Sequence, residues 1–238
     1  MEPKVFDPSL AENQYRHEFK YLVSYGQLKI LETRLKGLIP LDTHVAQTGS
    51  YNIRSLYFDD YYDSYLKENE SGTDPREKFR IRIYNHDSSR IRLEQKKKVR
   101  GKTQKLSCPL SLEQCQLLMQ GEIPEVKADA PAVLIKLVLL MKTRLLRPKV
   151  IIEYERIPYI YPYGNVRITM DEHIKSAKRI DLFLEEQIPL RPILPAGQHI
   201  LEVKYDEYLP DFIYRAVSLP HLRPTAFSKY YLGRRYHL

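Results

Sequence analysis

The chain has 238 residues, 43% of them hydrophobic, and its 38 basic and 30 acidic side chains give a formal charge of +8. That apolar content supports a packed core and excludes wholesale disorder, and the length fits one large domain. The positive balance favours an anionic partner, whether nucleic acid, anionic lipid or a phosphate compound, without choosing among them. Cys108 and Cys115, the two cysteines, have no His or Cys close by in sequence, so neither a zinc site nor a disulfide scaffold is expected. The first fourteen residues lack the apolar h-region of a signal peptide. The most apolar stretch, residues 130–146, is short and broken by Lys136, Lys142 and Arg144, so it is not expected to span a bilayer. These features point to a soluble cytoplasmic protein.

Residues 1–14 read as a loose arm and residues 15–238 as a single domain. Residues 15–23 form the first expected strand, with Arg16, Glu18 and Lys20 on one side. Ser24-Tyr25-Gly26-Gln27 resembles a capping box, and Leu28, Leu31 and Leu35 follow at helical spacing until Gly37 and Pro40. Further strands are expected over 51–58, 78–84, 90–98 and 101–106, joined by hairpin turns at 85–89 and 99–101. Ser111-Leu112-Glu113-Gln114 is a second capping box opening a short helix, and Pro131 starts an apolar one. Strands resume over 149–157, 165–171 and 199–205, a helix follows over 210–217, and residues 227–230 read as a tail. Strands joined by short turns imply an antiparallel sheet, so the fold class is α+β.

Three strands carry Glu-x-Lys: Glu18 and Lys20, Glu94 and Lys96, Glu202 and Lys204; another carries Arg80-x-Arg82. Residues two apart on a strand share a face, so each pair points one way. Lys78, Arg80 and Arg82 oppose Phe79, Ile81 and Ile83, and Arg167, Thr169 and Asp171 oppose Val166, Ile168 and Met170. For any one strand the ordinary arrangement has the charged face in water. Several amphipathic strands share a cationic bias, however, and apolar helices are available to cover the other side. If the sheet closes with helices outside, the charges line an interior that must hold water or a polyanion, because unpaired buried charges are too costly.

An ordered set of motifs carries a resemblance: Tyr15-Arg16-His17-Glu18-Phe19-Lys20-Tyr21, Ser55-Leu56-Tyr57-Phe58-Asp59, Lys78-Phe79-Arg80-Ile81-Arg82-Ile83-Tyr84, Leu93-Glu94-Gln95-Lys96, Tyr154-Glu155-Arg156, Val166-Arg167-Ile168-Thr169-Met170-Asp171, Leu201-Glu202-Val203-Lys204-Tyr205 and Ser228-Lys229-Tyr230. The chain resembles the VTC-type polyphosphate polymerase domain of the triphosphate tunnel metalloenzyme (CYTH-like) superfamily, and in particular its stand-alone prokaryotic members. The resemblance implies an antiparallel β-barrel tunnel of about eight strands with helices packed outside. It implies that Lys20, Arg80, Arg82, Lys96, Arg156 and Arg167 hold the reacting phosphates, with Lys105 and Lys229 as further phosphate ligands. Lys78, Lys98, Lys102, Lys204 and Arg54 become helpers in substrate binding. Glu202 becomes the carboxylate for manganese or magnesium, assisted by Glu18 and Glu94. Arg16 stands where the superfamily often has a first Glu, which leaves the number of metal ions open.

The implied activity is transfer of the ATP γ-phosphate to a growing polyphosphate chain. The alternatives are hydrolysis of tripolyphosphate or a nucleoside triphosphate in the same tunnel, and polyphosphate binding without catalysis. The partners implied are ATP or another triphosphate and polyphosphate; no nucleic-acid partner is expected, since no recognition helix, RNP-type or zinc-finger pattern occurs. For Glu202 the competing assignment is a cross-strand salt bridge, and for Asp171 a strand cap or an ion pair with Arg. The histidines read as surface residues without a catalytic part.

Overall fold

The computed structural model describes residues 15–45, 49–127 and 129–237, so the expected arm over 1–14 lies outside them. One antiparallel sheet dominates, built from β1 (His17–Ser24), β2 (Tyr51–Asp59), β3 (Arg76–Tyr84), β4 (Asp87–Val99), β5 (Lys102–Leu110), β6 (Arg147–Tyr161), β7 (Val166–Ala177), β8 (Arg191–Pro192) and β9 (Gln198–Tyr205). Eight of them lie in the order β1-β9-β7-β6-β2-β3-β4-β5, and the two-residue β8 pairs with β7 off this path. The β3–β4 turn places Asn85 and His86 at positive φ (49° and 57°), and the β4–β5 turn does so with Arg100 and Gly101 (50° and 77°). Paired positive-φ residues match the twist of the strands they join. The Asp74 carboxylate pins the second turn by accepting from the backbone N–H of Arg100 and Gly101 (2.9 and 2.8 Å).

The sheet curls until its two edge strands meet. Arg16 and Thr103 exchange backbone hydrogen bonds of 2.8 and 3.0 Å, a narrow clasp between β1 and β5. Beyond that clasp the edge of β1 takes the C-terminal segment instead: Thr225 N–H donates to the Lys20 carbonyl at 2.8 Å. Closure satisfies edge groups that would otherwise invite association.

Apolar side chains lie mainly on the outer surface of this sheet. The capping box at Ser24 and Gln27 starts α1 (Tyr25–Lys36), which buries Leu28, Leu31 and Leu35 in a cluster with Ile168, Met170, Leu201 and Val203. Helix α5 (Asp211–Val217) completes that cluster with Ile213. On the other flank, α3 (Leu112–Met119), opened by the second capping box, and α4 (Ala132–Thr143) pack in a larger cluster with Phe79, Ile81, Leu93 and Leu134. No helix of the described residues is long and apolar enough to cross a membrane.

Two helices were not legible beforehand. Helix α2 (Ser64–Glu70) follows β2, and α6 (Lys229–Arg235) occupies what reads in sequence as a tail. Helix α6 departs from the helices-outside expectation, because it packs on the charged face of β2, β6 and β7. Tyr230 stacks obliquely on Tyr57 with ring centroids 5.5 Å apart, and its hydroxyl donates to Asp59. Asp59 also accepts from the backbone N–H of Tyr65 and Leu66 (2.9 and 3.1 Å), so one buried carboxylate ties β2 to α2 and α6. Gly233 permits the close approach, since a Cβ there would collide with the Ile152 side chain.

Candidate functional site

The register of β1 and β9 pairs Glu18 with Lys204 and Lys20 with Glu202, so the two Glu-x-Lys motifs cross. Lys20 Nζ lies 3.1 Å from Glu18 and 3.6 Å from Glu202, while Lys204 Nζ lies 2.5 Å from Glu202 and 3.9 Å from Glu18. Lys96 on β4 reaches Glu18 at 2.5 Å although β5 stands between β4 and β1. Arg82 on β3 likewise reaches past β2 to the Tyr154 hydroxyl of β6 at 3.3 Å. Contacts that skip a strand require a shared concave face. The charged faces converge inward.

Two more carboxylates organise the rest of the lumen. Glu94 accepts from Arg80 (2.6 Å) and lies 3.6 Å from both Arg82 and Lys105. Arg80 also donates to the Tyr57 hydroxyl at 2.8 Å, and Arg82 to Ser55 at 3.3 Å. Asp171, fully buried, takes both arms of the Arg156 fork at 2.6 and 2.8 Å and the Lys229 ammonium at 2.5 Å. That ammonium also sits 4.6 Å from the Tyr154 ring centroid. Lys78 donates to the Ser228 hydroxyl at 3.2 Å and has no carboxylate within 4 Å among the described residues. Arg167 donates to the Tyr51 hydroxyl (2.9 Å) and to Asp42 (3.2 Å).

Burial alone would raise the Glu18 and Glu202 carboxyls, but Lys96 and Lys20 around the first, and Lys204, Lys20 and Arg156 around the second, hold both well below the ordinary range. Glu94 is held down likewise by Arg82 and Arg80 against its burial. Lys96 and Lys78 carry the opposite strain, whereas Lys20 is held above its usual value against its burial by Glu18 and Glu202. Burial, only partly offset by Glu18, brings Lys96 from 10.5 down to about 8. Burial, together with Lys96 and Lys20, pushes Lys78 well below its usual value. Between about 8 and 10.5 the folded protein therefore holds fewer protons on Lys96 than the unfolded chain, and this contribution to stability rises with pH across that window. A polyanion held against Lys96 would favour its charged form. Tripolyphosphate binding near pH ~9 should take up protons, read by calorimetry in two buffers of different ionisation enthalpy. Binding without uptake would mean that Lys96 does not meet the ligand.

Of the residues singled out in the sequence, Lys20, Lys78, Arg80, Arg82, Lys96, Lys105, Arg156, Lys204 and Lys229 share the lumen with Glu18, Glu94 and Glu202. Arg167 stands toward the end made by the β6–β7 turn, and Lys98 lines the opposite mouth. Lys102 does not join them: it falls on the other face of β5 from Thr103 and Lys105 and lines an outer cavity with Tyr15 and Asp206. Arg54 also points away, because Ser55 and Tyr57 take the inner face of β2. It is held by Glu153 at 2.5 Å and by the carbonyls of Phe183, Glu185 and Glu186. Asp171, set aside in the sequence, belongs to the lumen, and its alternation with Arg167 and Thr169 was the signal. His199, expected at the surface, is buried against the outer side of the sheet.

Glu18 and Glu202 offer hard oxygen donors on adjacent strands, linked through Lys20 and Lys204. This donor type suits magnesium or manganese, which commonly take one or two carboxylates and fill their shell with water and substrate phosphate oxygens. Among the described residues no group of three or more His, Cys, Asp or Glu gathers to hold a metal by itself. Glu94 stands instead among Arg80, Arg82 and Lys105.

A curled antiparallel sheet closed around charged side chains is the architecture of the triphosphate-tunnel, or CYTH-like, class. The model of the VTC domain family matches residues 15–237, and the chain belongs to that family. Among solved structures it is similar to a candidate adenylate cyclase from Bacillus halodurans, with 15% identity, TM-score 0.49 and 81% of each chain covered. It is similar to the PH1012 protein from Pyrococcus horikoshii OT3, with 14% identity, TM-score 0.45, and 88% of this chain and 95% of that one covered. The Mimivirus capping enzyme triphosphatase follows with 13% identity, TM-score 0.36 and 82% of each chain covered. No curated protein matches the chain.

Proposed function

We propose that this protein is a polyphosphate polymerase that transfers the γ-phosphate of ATP to the end of a phosphate chain held in the lumen. The observation that carries the reading is the excess of inward cations over carboxylates, with Glu18, Glu94, Asp171 and Glu202 each shared among several lysines or arginines. Such a lumen lacks negative charge, and a chain of phosphates supplies it at regular intervals. Arg80 and Arg82 lie two apart on β3 and present fork-shaped donors that can each grip a phosphate, which lysine cannot do bidentately. Lys20, Lys96, Arg156, Arg167 and Lys229 would spread the remaining charge, and Lys78, Lys98, Lys105 and Lys204 would hold the chain.

In the transfer, the bond from the γ-phosphorus to the β–γ bridging oxygen breaks and ADP keeps the electron pair. A terminal phosphate oxygen of the chain forms the new bond. That oxygen is already ionised, so no general base is needed, and the residues contribute in-line positioning and charge neutralisation. Glu18 and Glu202 would hold a divalent ion, which supplies neutralisation of phosphate charge when bound. The test is incubation with ATP and Mn²⁺, with products resolved on a gel that separates polyphosphate from inorganic phosphate. Long chains are the expected result. Inorganic phosphate alone would replace this reading with hydrolysis, and tight polyphosphate binding without turnover would replace it with a binding protein.

A further inference from the structure

Several hydroxyls of the lumen already serve a charged group. Tyr57 accepts from Arg80, Ser55 and Tyr154 from Arg82, Tyr51 from Arg167 and Ser228 from Lys78. Thr103 donates to Glu18 at 3.3 Å. Thr169 on β7 is different. It is 1% exposed, and its Oγ1 has no hydrogen-bond partner among the described residues. Strand alternation puts it on the inner face between Arg167 and Asp171, and the register sets it directly opposite Glu202 on β9 and Pro158 on β6. Directly opposed side chains stand about 5 Å apart at Cβ, which brings the hydroxyl next to the Glu202 carboxylate. Those oxygens nonetheless go to Lys204 at 2.5 Å and Lys20 at 3.6 Å. Pro158, on the other side, offers no polar side-chain atom. A buried hydroxyl left without a partner costs stability, and valine, of nearly the same shape, would carry no such cost.

We infer that Thr169 is a phosphate-binding residue, whose hydroxyl donates to a non-bridging oxygen of the phosphate nearest Glu202. The inference rests on the phosphate reading of the lumen and assigns one neutral donor within it. A phosphate oxygen is an acceptor, and a threonine hydroxyl has one proton to offer and no charge to add. Lys20 and Lys204 turn from Glu202 to the phosphate as this contact forms. A divalent ion on Glu202 would drive the same turn by repelling both ammonium groups. Burial favours the bond, since a hydrogen bond to a charged oxygen is stronger in a space closed to water than at the surface. The unmet donor is held ready for the substrate, and binding removes the penalty of leaving it unpaired.

The test titrates tripolyphosphate, in chelator and at two ionic strengths, into the wild type, Thr169→Val and Thr169→Ser, beside thermal unfolding of each protein without ligand. Thr169→Val should bind roughly tenfold more weakly, the scale of one hydrogen bond to a charged acceptor. The factor should be the same at both ionic strengths, because no charge is removed. Its melting temperature should equal or exceed the wild type's, since the unpaired hydroxyl is gone. Thr169→Ser, which keeps the hydroxyl, should recover most of the affinity. A lower melting temperature for Thr169→Val would show that the hydroxyl has a structural partner. Unchanged affinity, a loss that fades with salt, or no recovery in Thr169→Ser would show that the hydroxyl does not meet the phosphate. Each of these results overturns the assignment and leaves the lumen reading in place. A wild type that does not bind tripolyphosphate would overturn both.

Discussion

The Asp171→Asn substitution is expected to lower the melting temperature of the ligand-free protein by on the order of 10 °C, with tripolyphosphate restoring most of the loss. Asp171 is fully buried and is the carboxylate that both Arg156 and Lys229 bond. Asparagine keeps the shape, so no cavity opens, but it carries no charge. Two buried cations then lose their counter-ion, a defect that typically costs about 3–5 kcal/mol. On the proposed function a phosphate chain in the lumen would supply negative charge at the same place, so adding tripolyphosphate should raise the variant's melting temperature more than the wild type's. Thermal unfolding with and without the ligand reads both effects. A ligand-free variant as stable as the wild type would mean that the lumen is wet enough to tolerate the loss. Equal ligand shifts in the two proteins would mean that Arg156 and Lys229 do not meet the phosphates.

Glu202→Gln should separate two properties that a merely structural residue would move together. Turnover with Mn²⁺ should fall by roughly 100-fold or more, the scale of the several kcal/mol a metal contributes to stabilising phosphoryl charge. The metal concentration for half-activity should rise. Metal-free binding of tripolyphosphate should hold or tighten, because the substitution removes a negative charge that now occupies Lys204 at 2.5 Å and Lys20 at 3.6 Å. Turnover and its metal dependence measured beside binding in chelator give the comparison. Full activity at unchanged metal demand would remove Glu202 as a metal ligand, and parallel loss of turnover and metal-free binding would assign it to the ion-pair network alone.

The alternation of charge and apolar side chains along β1, β3, β4, β7 and β9 was legible in the sequence because strand geometry puts every second residue on one face. It placed Lys20, Arg80, Arg82, Lys96 and Glu202 on common faces, whereas Arg156 came only from the family resemblance, and the two Ser-x-x-Gln capping boxes were equally local signals. Asp171 was legible in the same way but lost to an ordinary strand-end assignment. Lys102 and Arg54 were misplaced for a related reason: a turn or a register step decides which face a residue joins, and the basic character of the side chain does not. Helix α6 gave little warning, since seven residues with Gly233 among them carry a weak helical pattern.

What the sequence determined by itself was the set of faces, their sign and the caps that start α1 and α3, because each depends on neighbours a few residues apart. Only the tertiary structure decided that the faces turn inward, that Glu18 meets Lys204 while Lys20 meets Glu202, and that Lys229 returns from the C-terminus to Asp171. Those outcomes depend on the curvature of the whole sheet and on strand pairing across nearly the full chain. No local spacing encodes either, since the same alternation serves equally well on a strand whose charged side faces water.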